Sequence, residues 1–578
     1  MKQPTISLAM IVRNEGSRLH ECLQDIKDSI DEIVIVDTGS SDNTVEIASE
    51  YTDKVYHFTW CDDFSAARNF AIERVHCDWV LSLDADERLD MSEGDLRALI
   101  DNPEREAYCL PLHAIQADGN FDRFMVLRLF KNKFRFKGAI HEQIIIDDPT
   151  VLGYTLFPIL WHSTVSTKER RSRRGRNIAL LKKALSADPD NLFLQYYIGT
   201  EWLGLGRTDK AISPLRQVLA KLTDQHVLFR SPALRYLISC YKSEGRFDEA
   251  ICTCLEESMR YPEYSDLFFE AGILFELKGE YEIAVKWFNQ AVAAGKPPAV
   301  FHHTGGTESY LAYYHIGHCL ERSGMSKQAK EFYHCALQAN KHYDHPLYQL
   351  TILELAQVSA DKAYIGLQER GYLTDPVVAA RMAELFWESG FPDLAERCLV
   401  QFEGKNANMV RLLVRYKTYS GKLAEALKLI EWLRTSEPVL GLEEAVDEII
   451  ALLIKQDFSV AKARALELWR IPEARSVALS MLNLINIFRI GKPSCLPELI
   501  RARKMTQVLV DILENCWRSK VKDWQMQSMY AALINKIMEL LAMSPGTVDM
   551  LAAYLKEKSN AVSVNLNHNF EAVRGMCL

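Results

Sequence analysis

The chain has 578 residues, which at roughly 150 residues per domain predicts about four domains, or fewer if part of it is a repeat array. Apolar residues make up 48% and charged residues 25%, a globular composition that excludes a mainly disordered or collagen-like protein. Lys plus Arg number 68 against 77 Asp plus Glu, a net charge of −9, so nothing global recruits a nucleic-acid backbone or an anionic membrane.

The first apolar run, 5–12, passes at once into Arg13-Asn14-Glu15, unlike a signal peptide. No run approaches the ~18 residues of a membrane span. Apolar runs at 6–12, 33–36, 55–58 and 79–83 alternate with amphipathic stretches, the pattern of a mainly parallel sheet covered on both faces. From Tyr108 the runs 108–115, 123–130, 134–136 and 143–146 follow with little helix between them; they are expected to extend the sheet and wall one side of a cleft. After Trp161 nearly every segment has a helical period. The arginine-dense run 168–176 reads as a solvated linker helix, with long-range attraction of an anionic ligand as the alternative. A phrase then recurs, as in Gly206-Arg-Thr-Asp-Lys-Ala211, Gly245-Arg-Phe-Asp-Glu-Ala250, Gly279-Glu-Tyr-Glu-Ile-Ala284 and Gly324-Met-Ser-Lys-Gln-Ala329, returning at Gly390 and Gly421. Gly245 to Gly279 is 34 residues, the tetratricopeptide period, so the phrase resembles degenerate tetratricopeptide repeats, with an unrelated helical bundle as the alternative. Tyr196, Tyr197, Phe268, Phe269, Tyr313 and Tyr314 fall at helical spacing and are expected mostly in the core of this array. Beyond about residue 440 the helical pattern continues without the phrase. The 13 cysteines lack CxxC spacing, which disfavours a disulfide framework or structural zinc and suits a reducing cytoplasm.

Trp79-Val-Leu-Ser-Leu-Asp84-Ala-Asp86-Glu87 ends a strand-like run in two carboxylates two positions apart. Side chains alternate along extended backbone, so Asp84 and Asp86 are expected on one side, facing one hard cation such as Mg2+ or Mn2+. Alone, such a pair also reads as acids leaving a strand for solvent. An EF-hand is excluded, because Leu89 and Asp95 stand where its loop needs Gly and Glu. Asp37 sits at the tip of another apolar run, before a glycine turn and Asp42, the expected N-cap of the next helix; an acid there can accept hydrogen bonds from a base or sugar. No glycine-rich phosphate cradle follows the first strand, so a bound diphosphate would be held by metal.

The first strand with Arg13-Asn14-Glu15, the turn Val36-Asp37-Thr-Gly-Ser-Ser-Asp-Asn-Thr44, Trp60-Cys-Asp-Asp-Phe-Ser65-Ala-Ala-Arg68-Asn69 and Leu83-Asp84-Ala-Asp86-Glu87 together resemble family 2 glycosyltransferases of the GT-A fold. With Phe136-Lys-Gly138-Ala-Ile-His141-Glu142 and the appended repeats, the chain is similar to the branch that contains the sublancin-type peptide S-glycosyltransferases. The resemblance implies an α/β GT-A catalytic domain at 1–165, a basic helical linker at 166–190, an all-α tetratricopeptide-like solenoid at 191–440 and a C-terminal helical region at 441–578. It implies that Asp84 faces the nucleotide ribose and that Asp86 coordinates the metal, Mn2+ or Mg2+. Arg13, Asn14, Glu15 and Asp37 would then line the uridine pocket, and Arg68 would approach the nucleotide or diphosphate, with Ser65 and Asn69 nearby. Glu142 is the candidate general base, since inverting transfer needs a carboxylate to take the acceptor's proton, a weaker need if the acceptor is a thiol. His162 matches a family histidine that can complete metal coordination, although the family's His-x-Gly-Tyr here reads His162-Ser-Thr-Val165. Arg68, Glu142 and His162 also have plainer readings: a packing arginine, a structural pair with His141, and a surface or core histidine.

The expected function is metal-dependent, inverting transfer from a UDP-sugar to a peptide or protein recruited by the repeats. The protein is expected to be cytoplasmic, without a membrane span or a nucleic-acid partner, and to form a homodimer through exposed helix faces. The alternatives are a transferase of cell-surface polysaccharide or flagellar assembly, and a non-catalytic scaffold whose transferase domain has decayed.

Overall fold

The computed structural model describes residues 4–542 except 91–94, 102–103, 116–120, 147, 156–157, 162–166, 405, 437–439, 494–498 and 519–523, so the expected metal ligand His162 lies outside the described residues. The chain divides into two compact units, Met1–Leu347 and Tyr348–Leu578.

The first unit opens with β1 (Ile6–Val12), α1 (Gly16–Ile26), β2 (Glu32–Asp37), α2 (Thr44–Ser49), β3 (Val55–His57), α3 (Phe64–Ile72), β4 (Trp79–Leu81), β5 (Glu87–Leu89) and α4 (Leu96–Ile100). Then come β6 (Ala107–Ile115), β7 (Phe121–Lys131), β8 (Phe136–Lys137), β9 (Gln143–Ile144), β10 (Leu152–Tyr154) and β11 (Ile159–Trp161). The main sheet runs β3-β2-β1-β4-β7-β6-β11-β5. The first four of these strands are parallel, and β7 pairs antiparallel with both β4 and β6. Alternation along β1 explains its burial on both faces: Ile6, Leu8 and Met10 pack with Leu19, Leu23 and Ile26 of α1, while Ala9 packs with Ala71 and Ile72 of α3. Of the late β-rich runs, β6 and β7 extend the sheet as expected. The last two instead form a separate two-stranded sheet, β8 with β9, because positive φ at Gly138 (+103°) and His141 (+51°) turns the chain between them.

Helices follow: α5 (Thr167–Ala187), α6 (Leu192–Gly204), α7 (Thr208–Lys221), α8 (Val227–Ser243), α9 (Phe247–Arg260), α10 (Ser265–Leu277) and α11 (Tyr281–Ala294), then β12 (His303–Thr304), α12 (Tyr310–Arg322) and α13 (Ser326–Ala339). The repeated phrase has a physical cause. Its glycines, Gly206, Gly245, Gly279, Gly324, Gly390 and Gly421, all have φ between +69° and +83°, the left-handed residue that ends one helix before the next. Its alanines, from Ala211 and Ala250 to Ala395 and Ala426, are 0% exposed, the points of closest approach within each pair. A side chain on Gly272 of α10 would meet the Phe288 ring of α11 at 2.6 Å, so only glycine lets those helices pack this tightly.

The 15-residue loop 295–309 between α11 and α12 joins the helices to the sheet. Within it β12 pairs antiparallel with β7, His303 opposite Arg123 and Thr304 opposite Asp122. The same segment is bound by the repeats: the Ser231 hydroxyl of α8 accepts from the His302 amide at 3.0 Å, and the Asp266 carboxylate of α10 lies 2.7 Å from His303 Nδ1 and accepts from the Thr304 amide at 2.9 Å. Buried Arg123 of β7 donates to the carbonyls of Pro297 and Pro298, both at 3.3 Å.

Among its described residues the second unit is helical, and the last helix described there is Trp524–Ala542. Among the described residues no helix is long and apolar enough to cross a membrane.

Candidate active site

β2 and β4 lie on opposite sides of β1, so the chain steps from β1 outward to β2 and β3 and then crosses back past β1 to β4, and a crevice opens at that reversal beyond the carboxyl ends of the strands. A cavity of about 1000 Å3 is lined there by Arg13, Asn14 and Glu15 after β1, Thr38 after β2, and Asp84 to Glu87 after β4. Its volume lies at the upper end of small-molecule sites, which run to about 1,000 Å3. Phe124, Val126 and Arg128, alternate residues of β7, form one wall, and Arg68, His141, Glu142 and Trp161 complete much of the rest.

Asp84 and Asp86 reach this cavity by a route other than strand alternation. Both lie in the connection between β4 and β5, where the Glu87 amide donates to the Asp84 carbonyl at 3.0 Å to close a tight turn.

Two arginines bind the acids into a lattice. Arg68 of α3, 8% exposed in its side chain, donates from Nη2 to Asp84 Oδ1 at 2.8 Å and from Nε to Glu142 Oε1 at 2.5 Å. Arg128 donates from Nη2 to Asp84 Oδ2 at 3.2 Å and to Glu87 Oε1 at 2.5 Å. Burial would raise the Asp84 carboxyl, but Arg68 and Arg128 outweigh it and hold the group at about 2. Glu87 is pushed up by burial and by the Asp84 charge, against the pull of Arg128. The helix that carries Arg68 is set by Asp63, whose carboxylate caps it by accepting from the Ala66 amide at 3.0 Å. Asn69, next on α3, exchanges two 2.9 Å hydrogen bonds with the backbone of Phe136 and so ties α3 to the segment leading to Glu142.

Asp86 accepts from the Trp161 indole at 3.0 Å through Oδ2. A carboxylate has about four acceptor sites, so this bond leaves capacity for a cation, whereas both oxygens of Asp84 already meet guanidinium groups. Glu15 supplies a further observation: its carboxyl is raised by burial and by the charges of Asp86 and Asp84, against Arg18 and Arg173. A cleft in which neighbouring carboxylates repel one another is a fitting seat for a hard divalent ion. Among the described residues no group of three or more His, Cys, Asp and Glu side chains is arranged to hold a metal by itself.

Other expected residues sit as follows. Asp37 is buried, and its carboxylate accepts from the Gly39 and Ser40 amides at 3.0 Å, shaping the turn after β2. Asn14 has φ +56° and crosses to the same turn, its Oδ1 accepting from the Ser41 amide at 2.7 Å. Asp42 precedes the N-cap of α2, which is Asn43, and accepts from the Thr44 amide at 3.1 Å. Arg13 is exposed on the cavity wall. The sequence reading gave no role to Arg128 or Glu87. The only signal for Arg128 was a charge on the same face of a strand as Phe124 and Val126. From the helical part, Arg173, Arg176 and Asn177 of α5 and Tyr197 of α6 line the cavity. Arg173 and Arg176 of the basic run thus stand on one rim of the cleft, and Tyr197 reaches the cleft while its ring touches, with centroids 5.0 Å apart, that of Tyr196, which is buried in the array core.

Residues 7–155 match the model of glycosyl transferase family 2 and residues 310–343 that of the tetratricopeptide repeat. The chain is 32% identical over 307 residues to TPR repeat-containing protein Synpcc7942_0270 of Synechococcus elongatus, the alignment covering 50% of this chain and 75% of that protein. It is 27% identical over 242 residues to the SPbeta prophage-derived glycosyltransferase SunS of Bacillus subtilis, covering 38% and 56% of the two chains. It is 36% identical over 182 residues to the uncharacterized glycosyltransferase RT0209 of Rickettsia typhi, covering 28% and 62%. The chain thus spans less than two thirds of the length of these last two relatives.

Proposed function

Residues 7–155 form a glycosyl transferase family 2 domain and tetratricopeptide repeats follow it, and from that premise we propose that the chain moves a sugar from a UDP-sugar to a peptide or protein side chain by metal-assisted inversion. The observation that carries the reading is the convergence of Asp84, Asp86, Glu142 and the β1 loop on one cavity of about 1000 Å3 at the carboxyl ends of the strands.

In this reading Arg13, Asn14 and Glu15 receive the uridine beside the turn built by Asp37, and Asp84 meets the ribose. Asp86 would hold Mn2+ or Mg2+, which when bound stabilises charge on the departing nucleoside diphosphate. Arg173 and Arg176 on the cavity rim add attraction for the diphosphate. Glu142 takes the proton of the attacking nucleophile. Arg68 holds its Oε1, leaving Oε2 to receive that proton, and the same guanidinium fixes Asp84, so base and donor site share one rigid reference. The acceptor approaches along the helical part of the protein. The α8 and α10 residues Ser231 and Asp266 are engaged by the chain's own residues 302–304, which leaves the cavity rim for that approach.

The test is UDP release from a panel of UDP-sugars with Mn2+, with and without candidate peptides. Metal-stimulated release is expected, lost in Asp86→Ala. Release that does not respond to metal, or is unchanged in that variant, removes the metal assignment.

A further inference from the structure

The candidate base is held in place by the first helix pair of the repeats. Glu201 of α6 is 3% exposed, and both of its oxygens are occupied. Oε1 lies 3.1 Å from His141 Nε2 and accepts from Asn177 at 2.8 Å, while Oε2 accepts from Arg174 at 2.9 Å. Burial would raise this carboxyl, but His141, Asn177 and Arg174 together keep it below its ordinary value, so it stays an anion facing His141. Tyr197 lies one helical turn before Glu201 and therefore on the same face of α6. Its ring stacks on His141 with centroids 3.9 Å apart and planes 3° from parallel, and its hydroxyl accepts from Gln143 Nε2 at 3.0 Å. The residues on either side of Glu142 are thus both anchored to α6. The backbone between them needs anchoring, because His141 has φ +51°, a conformation that a non-glycine residue holds only when its surroundings enforce it.

We propose that Glu201 and Tyr197 are positioning residues: through His141 and Gln143 they fix the strained segment that aims Glu142 at the nucleophile, so the repeat array is a working part of the active site. This rests on the reading of Glu142 as the base.

The test uses the full chain, with UDP-glucose and UDP-N-acetylglucosamine plus Mn2+ as donors, UDP release as turnover, UDP titration as binding, and hydrogen exchange of peptides covering 138–144 as a readout independent of activity. Glu201→Ala should lower kcat by roughly 10- to 100-fold, the scale of a misplaced catalytic group, with KM and UDP affinity changed less than about twofold. Exchange at 138–144 should quicken while that of β1 and β2 stays as in the parent. Tyr197→Phe keeps the ring stack and loses only the Gln143 bond; a smaller fall in kcat is expected, and its intact packing guards against a result caused by unfolding. Unchanged kcat and unchanged exchange in Glu201→Ala overturn the proposal, as does a loss of UDP affinity that accounts for the whole defect. Glu142→Gln separates the two readings. If it turns over like the parent, the base assignment falls, and the proposal with it; if it is inactive while Glu201→Ala is normal in both readouts, the base stands and the positioning role fails.

Discussion

Arg128 bridges Asp84 and Glu87, and Glu87 is only 3% exposed in its side chain. Removing the guanidinium leaves two neighbouring carboxylates with one fewer cation between them, the costly direction for a buried pair. Arg128→Met should therefore lose about 3–5 kcal/mol of stability near pH 8. Glu87 is already raised above its ordinary 4.5, and loss of Arg128 raises it further. The native variant then holds a proton that the unfolded chain releases, so its stability falls as pH climbs and the loss should be smaller at pH 5. Urea midpoints at the two pH values check this; equal losses would show that Glu87 does not take up the proton. Residues of this kind explain what was hidden in the sequence. Asp84, Asp86 and Glu142 stand in short local motifs and could be singled out there. Arg128 is 41 residues from Glu87 and Tyr197 is 54 from Gln143, and no local pattern encodes a meeting made by tertiary folding.

The repeat phrase was legible because each of its letters answers a local demand, a left-handed glycine and a small contact residue one helix turn into the next element. The helix Leu442–Ile454 was legible only as a helix. Its acids Glu443, Glu444, Asp447 and Glu448 look like a solvated face, yet the last three are buried at 7%, 4% and 5% exposure. Arginines from neighbouring helices meet them, Arg411 at Glu444 (3.4 Å), and Arg434 (2.5 Å) and Arg464 (3.0 Å) at Glu448. Asp447 is less well served: burial lifts its carboxyl to about 7, and Arg415 and Tyr419 only partly oppose it. The unfolded chain gives up this proton near 3.8 and the native helix keeps it until about 7, so stability is full below the lower value and declines across that window. Asp447→Asn should match the parent below pH 4 and exceed it above pH 7 by roughly 1–3 kcal/mol. Thermal melts across pH would reveal it, and an equal offset at every pH would assign the gain to something other than ionisation.

At the scale of the molecule, the change of pattern near residue 165 is a change of secondary structure, whereas compactness continues to Leu347. The reason is the edge of β7. β4 pairs with its residues 129–131 and β12, arriving from between two repeat helices, pairs with 122–123. A fragment of residues 1–165 would leave the 122–123 stretch of that edge bare and Arg123 without the Pro297 and Pro298 carbonyls, a recipe for strand-edge association. It should be recovered as aggregate, whereas 1–347 should elute as a discrete species that binds UDP. Size exclusion and UDP titration decide between them, and a soluble, UDP-binding 1–165 would show β12 to be dispensable. The splice also bears on ancestry. Crossovers that pair the sugar-handling half of one lineage with the helices of another would bring together a hairpin and a loop never selected to fit, so strand 121–131 and loop 295–309 should descend as a linked pair and travel together in any viable hybrid.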